Sequence, residues 1–381
     1  MMVDMSELDG KSFACIDGCG MCCLCQPELS DEELKVFETD EFLRSGLTRE
    51  HLGGRRSARP NAIKLQGGRG ACYFLKNRRC TINELKPKFC RQFPVHVHVL
   101  RRIQLNVNLS CRGVREEGGG SMRGYGRTLI SSIPETKLSS ELEEARKVAD
   151  EFDERCKNAG IYQSPERIRS VAMKLLPLIE EHDGIAKLLA FADREPEIGN
   201  SPDEDILAEI SATRPAPDID ALARESNYAM FDVDDISRLP VYVDERLRWT
   251  VFNSRDGKIQ VEILEEDGTL RHAGSIDADD LTLLNRSEEA RKLFSKYAEL
   301  LISRDPFYGN VSSICDLHGY KHDLLTVYIG VLATTLLDLW WRASLIARLK
   351  EKKRLDANLA REGIIAFDMD CLDAPTIGAF I

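Results

Sequence analysis

Cys15-Ile16-Asp17-Gly18-Cys19-Gly20-Met21-Cys22-Cys23-Leu24-Cys25 packs five thiols into eleven residues. A compact loop of that kind wraps several sulfurs round one centre, and thiolates suit zinc and iron–sulfur clusters, each of which needs four protein ligands for a closed site. Adjacent side chains point different ways in extended chain, so Cys22 and Cys23 are expected to serve two centres, or one of them packs. Nine of the twelve cysteines lie in the first 111 residues; Cys72, Cys80, Cys90 and Cys111 complete that set, and Cys156, Cys315 and Cys371 lie elsewhere. A secreted disulfide protein is usually small and stapled throughout, whereas here one dense segment precedes a long acidic chain. Met1–Gly10 carries acids and no basic residue, so no signal peptide is expected, and metal ligation in a reducing cytoplasm is preferred over disulfides.

The chain has 381 residues, of which 43% are hydrophobic and 30% charged, enough for two or three domains and a real core, and unlike a disordered or membrane-embedded chain. Its longest apolar stretch, Leu324–Leu337, falls short of the ~20 residues of a membrane span and reads as a buried helix. The net charge of −11 hides a split: residues 1–130 hold 21 basic and 15 acidic residues, the remainder 31 and 48. Within residues 51–115, fifteen Lys and Arg face the single acid Glu84. Something anionic must offset them, either thiolate charge or an anionic partner.

An α+β fold is expected: an irregular cysteine-rich metal-binding domain over residues 1–127, then a mainly helical region containing a small antiparallel meander. Ser30 and Glu33 form a capping box before Leu34, Phe37, Phe42 and Leu43, and Val95–Val99 alternates as a strand does. Glu116–Ser121 reads as a flexible loop or a domain boundary. Helices are expected over Leu138–Asn158 and Pro165–Glu181 within a helical segment 128–200, with Gly160 and Gly184 as stops. The Pro-, Asp-, Glu- and Ser-rich composition near residues 201–225 reads as a linker or long loop. In the last region, 226–381, Val241–Val243, Trp249–Asn253 and Lys258–Leu264 are strand-like, Asp256-Gly257 and Asp267-Gly268 supply turns, and Leu281–Ser303 and Asp323–Lys352 are helical. The two halves are expected to pack through the Trp340-Trp341 helix and the Leu34, Phe37, Phe42 face.

The second cysteine group is Cys72-Tyr73-Phe74-Leu75, Cys80-Thr81-Ile82, Pro87-Lys88-Phe89-Cys90-Arg91-Gln92-Phe93-Pro94 and Cys111. With Cys15, Cys19, Cys22 and Cys23 it closely resembles the YkgJ-type cysteine-cluster family, described in general as zinc- or iron-chelating and sometimes as iron–sulfur oxidoreductases. Lys86 stands where that family usually has Arg, Asn83 where it has Tyr, and Cys25 is an extra thiol. The resemblance covers about residues 12–115. It implies Cys15, Cys19, Cys22, Cys23, Cys72, Cys80, Cys90 and Cys111 as metal ligands, and Arg91 fits as a hydrogen-bond donor to a bound cluster or to a carboxylate.

Eight thiolates with no obligatory histidine favour iron–sulfur, a [4Fe–4S] cluster, over zinc. Cys15-x3-Cys19-x2-Cys22 also has the spacing of radical S-adenosylmethionine enzymes, but their alternating β/α barrel has no counterpart in this pattern. The family looks distantly related to flagellin lysine N-methylases, which keeps S-adenosylmethionine and a cluster-dependent modification activity open. The expected function is therefore a cytoplasmic redox or cluster-dependent enzyme of unknown substrate, with a non-catalytic zinc- or iron-binding scaffold as the alternative and an unknown protein or anionic substrate as partner. Arg55, Arg56, Arg59 and Arg69 have few interleaved aromatics, which gives little support to nucleic-acid binding. His96 and His98 read as the polar face of a half-buried strand. His318 and His322 lack the glutamate of a zinc-protease motif, and the Trp340-Trp341 face reads as core.

Overall fold

In the computed structural model, which describes residues 2–196, 198, 199, 201–232 and 239–372, the alternation at Val95–Val99 forms a strand. It pairs antiparallel with Ile103–Val107, whose other edge takes Val3–Asp4 in parallel. Val95, Val97 and Val99 pack in one cluster with Leu8, Met122 and Leu138. A second small sheet sets Ser12–Phe13 between Val114–Arg115 and Gly120–Ser121, so the chain is pinned just before Cys15 and just after Cys111. Between those pins lie short helices and turns. The capping box is complete: Glu33 N–H donates to Ser30 Oγ at 3.3 Å and Ser30 N–H to Glu33 Oε2 at 2.9 Å, opening helix Asp31–Thr39.

The meander is the expected one, Val241–Val243, Trp249–Arg255, Lys258–Leu264 and Leu270–Asp277 in sequential antiparallel order. Asp256 and Gly257 both take positive φ at its tightest turn, the twist that a two-residue hairpin loop needs. One apolar core joins the remaining helices, from Phe152 through Phe294 and Tyr328 to Phe367. With the cysteine-rich N-terminal region, this is an α+β architecture of helices and small antiparallel sheets.

Several expectations change. Residues 201–225 are largely helical, with helices Asp203–Ala212 and Ile219–Phe231; Ile206, Ile210, Ala223 and Phe231 reach the core from an otherwise polar stretch. Gly184 opens a helix, Gly184–Asp193, instead of ending one, and a Cβ there would stand 1.7 Å from the Leu178 carbonyl oxygen. The helix expected over Pro165–Glu181 breaks after Lys174, ahead of Pro177. Leu281 and Leu284 are buried but precede the next helix, which Ser287 caps at Ala290 N–H. Helices Met122–Ser131, Asp305–Leu317 and Ala357–Leu372 add to the expected set.

The apolar run 324–337 belongs to a 26-residue helix, Leu324–Leu349, long and apolar enough to cross a membrane by length and composition. Here 72% of its most apolar window is buried within the protein, against helices Gly184–Asp193, Ile219–Phe231 and Ala357–Leu372. It also carries the buried ion pair Asp338–Arg342 at 2.9 Å. Trp340 and Trp341 are core of the second half: Trp340 Nε1 donates to the Leu284 carbonyl at 2.7 Å and Trp341 stacks on Phe231 at 5.6 Å. The halves do meet through the expected Leu34 and Phe37, but against the meander and not the Trp340-Trp341 helix. Trp249 and Val251 of the meander share a cluster with Met21, Leu34, Phe37, Phe74 and Leu75, while Phe42 stays 44% exposed.

Candidate metal centre

The loop that carries the first five cysteines is bent by Gly18 and Gly20, both at positive φ, and Met21–Cys23 forms one turn of 3-10 helix. Its conformation is fixed from two sides. Cys72 N–H donates to the Cys23 carbonyl at 2.8 Å, which joins the two cysteine groups backbone to backbone. Trp249 Nε1 donates to the Cys19 carbonyl at 2.9 Å. Cys80 ends a hairpin whose turn residues, Asn77 and Arg78, take positive φ, and the Arg78 guanidinium lies 3.3 Å over the Trp249 ring. Cys90 sits in a short helix, Lys88–Gln92, behind Pro87. Cys111 follows a turn in which its N–H donates to the Asn108 carbonyl at 3.1 Å.

These placements bring the candidate thiols of both groups into one region with Cys22 at its middle. Cys22 interacts electrostatically with Cys15, Cys19 and Cys111 and also with Cys72 and Cys90. The Cys23 thiol hydrogen-bonds with both Cys22 and Cys80. Cys15, Cys19, Cys22, Cys90 and Cys111 line a cavity of about 630 Å³, together with Lys86, Arg91, Tyr125, Phe13 and Phe93. Cys23 and Cys72 are buried in the apolar cluster under it. Cys25 Sγ donates to the Cys22 carbonyl at 3.2 Å and its thiol pairs with Cys90, so the extra thiol belongs to the same assembly. Cys156 and Cys315 lie apart, in the helical core.

The electrostatics separate the thiols. Hydrogen bonding with Cys23 brings Cys22 down to about 7 against the cost of burial, with help from Lys86. The same partner brings Cys80 to about 6, again helped by Lys86 and by the Ile82 N–H. Cys23 is pushed up by those two hydrogen bonds and then by burial, and Cys90 by Cys25 and then by burial. Burial takes Cys72 and Cys111 to about 12 and raises Cys15 and Cys19. Burial and crowding keep most of these thiols protonated, since adjacent thiolates would repel one another. A cation in their midst replaces those protons and removes the mutual repulsion.

The cysteines from Cys15 to Cys315 are free thiols. Among the described residues no three His, Cys, Asp or Glu side chains are gathered at ion-binding spacing; the sulfurs meet in pairs. The donor set still fits a thiophilic metal, because it offers sulfur alone, with two thiols poised for ionisation and a cation beside them. Lys86, already marked by its place in the family pattern, belongs to the site with Trp249, Arg78 and Tyr125, and the last three carry no sequence signal of their own. Tyr125 shows why: its hydroxyl donates to the carbonyls of Arg91 and Phe93, a contact that leaves no spacing to read.

The histidines serve elsewhere. His98 Nδ1 lies 2.7 Å from Asn106 Oδ1 and His96 Nε2 lies 3.2 Å from Asn108 Nδ2, and the two rings stack at 6.0 Å. His98 is buried, so this face of the strand is covered. His318 and His322 lie beyond the end of helix Asp305–Leu317, their spacing broken by Gly319 and Tyr320 at positive φ.

The geometry defines a cysteine-rich domain whose thiols gather round one cavity. Residues 14–112 match the family model CxxCxxCC, described as "Putative zinc- or iron-chelating domain", the cysteine-cluster family to which the spacing pointed. The match leaves the meander and most of the helices outside it. No curated protein and no solved structure matches the chain.

Proposed function

We propose that the protein holds an iron–sulfur centre of the [4Fe–4S] kind, with Cys15, Cys19, Cys22, Cys23, Cys72, Cys80, Cys90 and Cys111 as the candidate ligands, and that it is a redox or cluster-dependent modification enzyme of the cytoplasm. One observation carries this reading. Five of the eight thiols form the wall of a cavity of about 630 Å³, within the size range of small-molecule sites, whereas a purely structural centre is closed on all sides. The bound cluster would supply electron transfer or a labile iron. The chain's own residues supply the rest: Phe13, Phe93 and Leu129 exclude water, and Lys86 and Arg91 place positive charge beside the thiols. An anionic substrate, a protein partner with an acidic segment, or the carboxylate of S-adenosylmethionine is what such a rim would receive.

The second reading, a non-catalytic zinc or iron scaffold, is favoured by Cys23 and Cys72, each 7% exposed within an apolar cluster, where metal would only staple the fold. Anaerobically prepared protein separates the two. A visible and paramagnetic spectrum that changes on addition of reductant or S-adenosylmethionine is expected for the enzyme; a spectrum inert to both belongs to the scaffold.

A further inference from the structure

The turn that presents Cys111 is held by the last helix, Ala357–Leu372, some 250 residues away in sequence. Asp368 is wholly buried. Its Oδ2 accepts the Leu109 N–H at 2.6 Å, while Oδ1 accepts from the Tyr297 hydroxyl at 2.7 Å and from Arg304 at 2.6 Å. One residue on, Met369 N–H donates to Ser110 Oγ at 2.9 Å. Within the turn, Ser110 N–H donates to Asn108 Oδ1 at 3.0 Å, and Cys111 N–H to the Asn108 carbonyl. On the far side of the thiol, Arg112 is clamped by Glu362 of the same helix and donates to the Val243 carbonyl at 2.6 Å. Both flanks of Cys111 are thus fixed by one helix, and a carboxylate buried at the cost of its hydration is aimed by two partners at a backbone N–H of this turn.

We propose that Asp368 is a positioning residue of the metal centre. It sets the place of the Cys111 thiol on the cavity wall, so that ligation by Cys111 depends on the seating of the last helix. This rests on the reading of the cysteines as ligands. Partners that orient metal ligands without touching the metal are typically worth ~10–100-fold in metal affinity.

The test uses the full chain, stripped of metal and loaded with cobalt(II) under argon. Thiolate-to-cobalt charge-transfer intensity and the rate of cobalt loss to EDTA are read for the wild type, Asp368→Asn, Ser110→Ala, Tyr297→Phe and Cys111→Ser. Cys111→Ser calibrates the intensity carried by one thiolate. Asp368→Asn and Ser110→Ala are expected to lose cobalt on the order of 10-fold faster, and Asp368→Asn to lose intensity toward the Cys111→Ser level. Tyr297→Phe deletes one of the two hydrogen bonds that aim the carboxylate, and is expected to fall between the wild type and Asp368→Asn in both readouts. Wild-type intensity and rate in both Asp368→Asn and Ser110→Ala overturn the assignment. Should Asp368→Asn fail to fold, Ser110→Ala decides alone. A wild type that takes up no cobalt overturns the ligand reading, and the assignment with it.

Discussion

Gly20 sits at φ +63°, and a Cβ built on it would stand 2.9 Å from Cζ2 of Trp249. Both facts forbid a side chain there: the left-handed backbone costs an ordinary residue roughly 1–2 kcal/mol, and the indole that would have to move is wholly buried. Gly20→Ala is expected to lower the stability of the loaded protein by at least about that amount, read as a fall in its thermal midpoint. Trp249→Phe keeps a ring under Arg78 but loses the hydrogen bond to the Cys19 carbonyl, a loss of about 1 kcal/mol; Trp249→Ala is expected to cost about 3–5 kcal/mol by the cavity it leaves. Urea midpoints that rank these two in the reverse order would contradict the packing described. At this scale the sequence was half legible. The cysteine spacing marks the donors, because a loop that wraps sulfur must present it at short intervals. Trp249 lies 230 positions from Cys19, and no local pattern announces a partner that distant.

Elements were legible where their signals are local. Ser30 and Glu33 announced their helix, and the two Asp-Gly pairs announced the meander, since caps and hairpin turns satisfy backbone groups within a few residues. Helices Asp203–Ala212 and Ile219–Phe231 were not legible, because few apolar residues drive them and their acidic, proline-flanked composition looks like solvent-exposed chain. Glu33 gives this scale its prediction. Its Oε2 completes the capping box, and its Oε1 accepts the Lys88 N–H at 2.6 Å, at the start of the helix that holds Cys90. Ser30→Ala removes one cap bond and is expected to cost about 1 kcal/mol. Glu33→Ala removes the reciprocal bond and the tie to Lys88, and is expected to cost more and to weaken metal retention. Equal urea midpoints and equal metal retention in the two variants would show that the tie contributes nothing.

Across the whole molecule, the basic N-terminal half is locked to the acidic half by the buried group Glu7, Arg304 and Asp368. Arg304 reaches Glu7 at 2.7 Å and Asp368 at 2.6 Å. Net charge foretold attraction, but screening beyond ~8–10 Å leaves a fixed interface to contacts such as these and to the Trp249 cluster. Burial raises the Glu7 carboxyl, yet the charge and hydrogen bonds of Arg304, with Asn106 and the Val107 N–H, outweigh it and hold the group below its ordinary 4.5. The folded chain therefore binds this proton less tightly than the unfolded one: the stability it lends is complete above pH 4.5 and is lost as pH falls below. Burial depresses His96 to about 3 and His98 to about 4, so the unfolded chain takes up their protons first and stability begins to fall near pH 6.5. A urea midpoint that declines from pH 6.5 through pH 4 is expected, and a flat profile would contradict the network. Removing one partner of a buried pair typically costs about 3–5 kcal/mol, the loss expected of Glu7→Gln at pH 7. The most direct test of the central claim is elemental: protein purified under argon, then assayed for iron, acid-labile sulfide and zinc per chain. Iron with matching sulfide is the predicted result; stoichiometric zinc without sulfide, or no metal at all, would contradict it.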